Sequence, residues 1–140
     1  MQSYSRLVGI DVGSKRIGIA QTDLLQTIAT PVGTYPPNQV YIELEKIAQQ
    51  STIDAFIVGW PLTTSGELGK ATHRVNSFIG ELKKHFPDID IIKVDERYTS
   101  NKAMEVMIKS GVPKKKRQQK ERVDQIAAAL ILERYLEQNI

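Results

Sequence analysis

The sequence predicts an α/β protein in which a mixed five-stranded sheet is flanked by helices. Three short β-branched runs come first and are joined by turns, and such short connections make neighbouring strands antiparallel. Two further apolar runs then alternate with helical patterns, as in crossover connections between parallel strands. With 140 residues, of which 41% are hydrophobic and 25% charged, we expect one soluble domain over residues 1–140.

The three antiparallel strands occupy the first quarter of the chain. The first strand is predicted over Leu7–Val12, and the glycine turn Gly13–Arg16 leads back into a second strand over Ile17–Thr22. A third strand, Thr27–Tyr35, is rich in Thr, Ile and Val and ends before two prolines. Asn38 is the predicted N-cap of the helix that follows.

The remainder of the chain alternates strands with helices. That first helix ends near Gln50, and the apolar runs Ala55–Gly59 and Ile89–Val94 are predicted to be buried strands. Apolar residues at helical spacing predict further helices over Gly69–Phe86, from Thr99 or Ser100 to Gly111, and over Arg122–Gln138.

Acidic residues lie where three of these elements begin or end. Asp11 ends the first strand, Asp95 and Glu96 end the last strand, and Asp124 opens the last helix. Because successive strand side chains face opposite sides of the sheet, only one of Asp95 and Glu96 shares a side with Asp11. A carboxylate at a buried strand end is costly unless it is paired or binds a metal. Asp11 as a turn cap and Asp124 as a partner of the helix dipole are the structural alternatives.

The available side chains favour oxygen-ligated metals. The chain has no cysteine, and both of its histidines, His73 and His85, fall outside the predicted buried stripe of their helix. Three carboxylates therefore indicate Mg²⁺ or Mn²⁺ rather than zinc. Such ions orient water and stabilise the leaving oxygen when phosphodiester bonds are hydrolysed.

The positive charge of the chain is concentrated in residues 113–122, which carry a net charge of +5 against +3 for the whole chain. A cluster of this kind predicts a polyanionic partner, although a solvated loop is the alternative for an isolated charged run. No apolar run is long enough to cross a membrane and no signal peptide is apparent, so a cytoplasmic protein is expected.

Four sequence blocks resemble the YqgF family of RNase H-like nucleases, also called RuvX, Holliday junction resolvase-like proteins or pre-16S ribosomal RNA nucleases. The blocks are Gly9–Gly18, Ile57–Leu62, Val94–Thr99 and Val123–Ala128. Their order is specific to the family, and the resemblance covers nearly the whole chain. Trp60 stands where the family commonly has leucine. The resemblance implies an RNase H-like fold.

The resemblance also implies the active site. It assigns catalysis and binding of Mg²⁺ or Mn²⁺ to Asp11, Glu96 and Asp124, which leaves Asp95 as structural. Further residues would then contact nucleic acid, namely Lys15, Arg16, Arg97, Lys114, Lys115, Lys116, Arg117 and Lys120. For Lys15, Arg16 and Arg97, pairing with the acids in the metal-free protein is an equal alternative.

The implied function is metal-dependent hydrolysis of phosphodiester bonds, with 5′-end processing of pre-16S ribosomal RNA favoured. Resolution of Holliday junctions in DNA is the first alternative, and a non-catalytic nucleic-acid-binding or ribosome-assembly factor is the second. The expected partners are structured RNA or branched DNA, and the ribosomal small-subunit precursor; both a monomer and a homodimer remain open. Gly9–Gly13 also resembles the first phosphate loop of sugar kinases, but those enzymes need two lobes and 140 residues supply one.

Overall fold

The protein is described from a computed structural model that covers residues 4–61, 69–95 and 120–138. Five strands and three helices lie in these ranges. In chain order they are β1 (Arg6–Val12), β2 (Ile17–Thr22), β3 (Ala29–Tyr35), α1 (Val40–Gln50), β4 (Ile53–Trp60), α2 (Lys70–His85), β5 (Asp90–Asp95) and α3 (Lys120–Gln138). The helix predicted between Thr99 and Gly111 lies outside the described residues.

The five strands form one mixed sheet in the order β3-β2-β1-β4-β5. The pairs β1–β2 and β2–β3 are antiparallel, whereas β4 runs parallel to β1 and to β5. The prediction of three antiparallel strands followed by crossover connections is therefore confirmed. Because β1, β4 and β5 are parallel, their carboxyl ends lie at the same edge of the sheet.

Each face of the sheet is covered by a separate hydrophobic layer. On one face, alternate residues of the central strands pack with α1 and α2, around the fully buried side chains of Val8, Ile10, Phe56 and Val58. On the other face, a smaller cluster joins β1, β2, β4 and β5 to the alanine-rich side of α3. This second layer contains small residues, so the backbone of α3 lies close to the strands.

Several predicted element bounds differ from the observed ones by one or two residues, and for the starts of β3 and α1 the local polar chemistry explains the difference. The third strand begins at Ala29 rather than Thr27, because the Asp23 carboxylate accepts hydrogen bonds from the backbone N–H groups of Thr27 and Ile28 at 2.7 and 2.8 Å. Helix α1 has Gln39 rather than Asn38 at its N-cap, and no side chain caps it. The Pro36 carbonyl accepts the N–H groups of Gln39 and Val40 instead.

Among the residues that the structure describes, no helix has the length and apolar character needed to span a membrane.

Candidate active site

The predicted acid Asp11 lies on the face of the sheet that α3 covers. Asp11 is the cross-strand partner of Gly18, and residues directly opposite in an antiparallel pair have their side chains on the same face. Leu7, two strand periods before Asp11, belongs to the cluster under α3, whereas Ile10 and Val12 belong to the opposite layer. Asp11 is partly buried at this position.

The backbone of Asp124, the second predicted acid, packs directly against Gly18. A Cβ atom built on Gly18 would stand 2.2 Å from the main-chain oxygen of Asp124 and 2.9 Å from the backbone nitrogen of Gln125. The backbone of α3 thus passes directly over the residue that is paired with Asp11. A strand end near the start of the chain and a helix near its end are thereby brought together.

Helix α3 approaches the sheet closely at a second glycine. A Cβ atom at Gly9 would lie 2.7 Å from the backbone oxygen of Ala128 and 2.6 Å from Cγ of Leu132. Ala128 and Leu132 are fully buried. The side of α3 that follows Asp124 at helical spacing is therefore the side that packs on the strands, as the alanine run predicts.

Asp124 does not open α3, as the sequence suggested, but lies one turn inside it. The helix begins at Lys120, so Asp124 is its fifth residue. Favourable interaction with a helix dipole falls off beyond the first turn. The dipole is therefore a weaker reason for an acid at this position than the sequence alone indicated.

Arg16 forms an ion pair with Asp124. Its Nε atom lies 3.5 Å from Oδ2 of Asp124, and the two side chains are 28% and 22% exposed. The sequence left two roles open for Arg16, contact with nucleic acid and pairing with one of the acids. The structure contains the second, a pair with a predicted catalytic acid. Lys15, the preceding residue, is exposed.

The hairpin turn holds Arg16 in place by a main-chain hydrogen bond. The N–H group of Gly13 donates to the carbonyl of Arg16 at 2.9 Å, and a Cβ atom at Gly13 would lie only 2.6 Å from that oxygen. Arg16 precedes Gly18 by two residues, which places both on the α3 side of the sheet. The glycine turn therefore directs a guanidinium towards the beginning of α3.

The register of β5 shows which side of the sheet Asp95 takes, while Glu96 lies outside the described residues. Val94 belongs to the cluster under α3, whereas Asp95 is paired with Trp60, which packs against the opposite layer. Asp95 therefore lies on the face away from Asp11. Nζ of Lys93 lies 4.0 Å from the centre of the Trp60 ring, so this tryptophan contacts a cation at the end of β4.

Several predicted site residues fall outside the described ranges. These are Glu96, Arg97, Lys114, Lys115, Lys116 and Arg117, while Lys120 begins α3 without a described side chain. Within residues 4–61, 69–95 and 120–138, no group of three or more His, Cys, Asp or Glu side chains is arranged to hold a metal ion. Two members of the predicted acid triad, Asp11 and Asp124, are described.

Both histidines lie on α2 and play no part in this arrangement. The ring of His85 stacks on Tyr41 with a centroid distance of 4.3 Å, and His73 is exposed. The structural feature that the sequence reasoning missed is Gly18. The sequence contains a signal for it, because a short hairpin pairs Gly18 with Asp11, and a glycine opposite a strand-end acid leaves room for another element to pack there.

A second concave region lies away from these residues. An open groove of about 720 Å³ is lined by the β2–β3 connection and the end of α3, including Leu25 and Leu136. None of the predicted site residues contributes to its lining.

Comparisons with known proteins give a consistent result. The family model "RuvX: Holliday junction resolvase" matches residues 5–138. A relative from Chlorobium luteolum is 42% identical over 139 residues, covering 99% of each chain, and one from Salinibacter ruber is 38% identical over 97% of this chain and 95% of its own. Both carry the provisional name of pre-16S rRNA nuclease.

Among solved structures, RuvC from Thermus thermophilus in complex with a Holliday junction substrate is similar in fold. The TM-score is 0.58 over 96% of both chains, with 14% sequence identity. At this identity the likeness concerns the fold alone, and it confirms the RNase H-like architecture that the sequence predicted.

Proposed function

Because this chain belongs to the RuvX family, we propose that it is a metal-dependent nuclease that hydrolyses phosphodiester bonds in pre-16S ribosomal RNA. The observation that carries the proposal is the arrangement around Gly18. Asp11 is paired with this glycine across β1 and β2, and the backbone of Asp124 lies directly over it. Two carboxylates from distant parts of the chain are thereby available on one face of the sheet.

The third acid of the proposed site is Glu96 rather than Asp95. Val94 faces α3 and Asp95 faces the other layer. If the strand period of two continues by one residue, Glu96 is on the side of Asp11 and Asp124. This argument rests on the register of β5, because Glu96 itself lies outside the described residues.

The donor atoms of this site fit Mg²⁺ or Mn²⁺. The described carboxylates supply oxygen, both histidines lie elsewhere, and the sequence contains no cysteine. Hard divalent cations of this type take oxygen ligands. We therefore assign Asp11, Glu96 and Asp124 as metal ligands and catalytic residues. When bound, the metal supplies an activated water and neutralises the charge that develops on the phosphate.

The other proposed residues hold the nucleic acid. Lys15 is exposed at the tip of the hairpin beside the acids, and Arg16 follows it. Further cations are proposed from their positive charge in the sequence alone. They are Arg97, Lys114, Lys115, Lys116, Arg117 and Lys120. Contacts of this kind to phosphates position the substrate without reading its sequence, and their affinity falls with salt.

The names of the relatives favour RNA processing as the substrate assignment. Full-length relatives at 38–42% identity carry a pre-16S rRNA nuclease name, and the ribosomal small-subunit precursor is the corresponding partner. A cytoplasmic location is part of this proposal, because ribosomal precursors are processed where ribosomes are assembled. The description of the family model favours a second candidate, cleavage of Holliday junctions.

Cleavage assays with both substrates test the proposal. A pre-16S RNA fragment and a four-way DNA junction are incubated with the wild type, with Asp11→Asn and with Asp88→Asn, in Mg²⁺ or Mn²⁺. Asp88 is exposed before β5, at the opposite edge of the sheet, so its variant controls for the loss of one negative charge.

We expect the wild type and Asp88→Asn to cleave the RNA equally. Asp11→Asn should be slower by roughly 10²-fold or more, since even indirect supports of metal ligands contribute about 10–100-fold. Equal cleavage by Asp11→Asn and wild type would contradict the catalytic assignment. Cleavage of the junction alone would favour the DNA candidate, and binding of RNA without cleavage would favour an assembly factor.

A further inference from the structure

The ion pair between Arg16 and Asp124 occupies a carboxylate that the proposed function assigns to a metal. The atoms Nε and Oδ2 are 3.5 Å apart, and both side chains are less than one third exposed. Charges in such partly buried surroundings are screened less by salt than charges on the open surface. A metal ion that binds Asp124 therefore has to compete with a cation that belongs to the chain itself.

We propose that Arg16 is an exchangeable counter-ion of Asp124. It neutralises this carboxylate in the metal-free protein, releases it when a divalent cation binds, and then binds a phosphate group of the nucleic acid. The inference rests on the proposed function, because it takes Asp124 as a metal ligand and nucleic acid as the substrate.

The first argument is electrostatic. Asp11 and Asp124 share one face of the sheet around Gly18, and like charges on the same face repel one another. The guanidinium of Arg16 offsets this repulsion while no metal is bound. Once a divalent cation supplies the positive charge, the same guanidinium is repelled by it, which favours its release.

The second argument is the chemistry of the guanidinium group. Its planar fork binds carboxylates and phosphates with the same geometry and remains charged at any pH at which proteins fold. One side chain can therefore serve Asp124 and a phosphate in turn. The 28% exposure of Arg16 leaves it accessible from solvent, and the hydrogen bond between Gly13 and Arg16 keeps its backbone fixed during the exchange.

The exchange links metal binding to nucleic-acid binding. Metal on Asp124 makes Arg16 available to phosphate, and phosphate on Arg16 makes Asp124 available to metal. By thermodynamic linkage, each ligand then raises the affinity of the other by the same factor.

The first test measures Mn²⁺ affinity without nucleic acid, by calorimetry and by the electron paramagnetic resonance of free Mn²⁺. The proteins are wild type, Arg16→Gln, Arg16→Lys and the control Lys83→Gln. Arg16→Gln should bind Mn²⁺ about five- to tenfold more tightly, because a partly buried ion pair no longer competes. Lys83 is exposed on α2, which packs on the other face of the sheet, so removal of its charge should change the affinity by less than about twofold.

Arg16→Lys retains the charge but lacks the fork, and we expect it to bind Mn²⁺ about two- to threefold more tightly than wild type. If Arg16→Gln does not fold, as judged by its thermal unfolding, this variant carries the test. A Mn²⁺ affinity equal to or weaker than that of wild type in the folded variants would overturn the exchange.

The second test measures binding of a hairpin RNA and of a four-way DNA junction in Ca²⁺ and in EDTA. For wild type and Lys83→Gln, the metal should tighten binding, and for Arg16→Gln this gain should be at least about threefold smaller. An equal gain in Arg16→Gln would also overturn the exchange.

The outcomes separate this inference from the function on which it rests. If wild type binds no Mn²⁺, or if Asp11→Asn binds Mn²⁺ with the same affinity as wild type, both the proposed function and the role of Arg16 would be overturned. Wild type that binds Mn²⁺ through Asp11 while Arg16→Gln shows no gain would overturn only the role of Arg16.

Discussion

The substitution Gly18→Ala should displace α3, and with it Asp124, from the sheet at the proposed site. The new methyl group would stand 2.2 Å from the main-chain oxygen of Asp124 and 2.4 Å from its carbonyl carbon. These are backbone atoms of α3, which cannot rotate away as the end of a side chain can. The helix therefore has to move by about 1 Å to reach an ordinary contact distance.

The expected cost has two parts. Overpacking of this kind costs about 1–3 kcal/mol, which for a chain of this size lowers the melting temperature by roughly 3–10 °C. A displacement of about 1 Å at a catalytic group can cost about 10²-fold in rate. We therefore expect the nuclease activity of Gly18→Ala to fall by much more than the fraction of unfolded protein accounts for.

Thermal unfolding and RNA cleavage at a temperature well below both melting points separate these two effects. Gly80→Ala is the matched control, because Gly80 lies on the exposed side of α2 and the described residues outside its own helix turn place no atom within 4 Å of the added carbon. This control should be more stable by about 0.5–1 kcal/mol, with unchanged activity. A Gly18→Ala protein that keeps the wild-type melting temperature, or loses stability but cleaves at the full rate, would refute the placement of Asp124 over Gly18.

Two further predictions concern the supports of the fold. Asp23 accepts hydrogen bonds from Thr27 and Ile28, which lower its pKa from 3.8 to about 2, so the folded state favours the ionised carboxylate. The contribution of this carboxylate to the free energy of unfolding is complete above pH ~4 and is lost as the pH falls through about 2. Urea titrations should therefore show a difference in stability between wild type and Asp23→Ala at pH 7 that disappears near pH 2. A difference that stays constant with pH would contradict the assignment. Leu132→Ala removes a fully buried side chain between α3 and Gly9 and should lower the free energy of unfolding by about 2–5 kcal/mol in urea, whereas a change below about 1 kcal/mol would mean that α3 does not cover β1.

The sequence predicted the strands and helices of the described ranges because apolar periodicity is local information. The boundaries of β2 and β3 illustrate the limit. Ile17–Thr22 was predicted without error, whereas the start of β3 depended on Asp23, six residues before Ala29, which accepts the backbone N–H groups of Thr27 and Ile28. Competition of this kind between Asp23 and the strand ladder cannot be read from β propensity.

The candidate site shows the same division. The alternation of strand side chains predicted that at most one of Asp95 and Glu96 lies on the side of Asp11, and the register of β5 with β4 shows only that Asp95 does not. The partner of Arg16 was undecided, because the contact joins a hairpin to a helix more than a hundred residues later. Such contacts depend on how α3 lies on the sheet, and no short segment of sequence contains that information.

The way α3 covers the sheet also determines when the site can exist during synthesis. Asp11 belongs to the first strand to leave the ribosome, but the helix that carries Asp124 follows all five strands. Closure of so long a loop is a slow, late step in folding. A nascent chain therefore carries Asp11 before Asp124 is in place, and hydrolysis of RNA near the translating ribosome has to wait for α3 to dock. For an enzyme whose proposed substrate is a ribosomal precursor, catalytic competence then depends on the docking of a helix that is synthesised after the sheet.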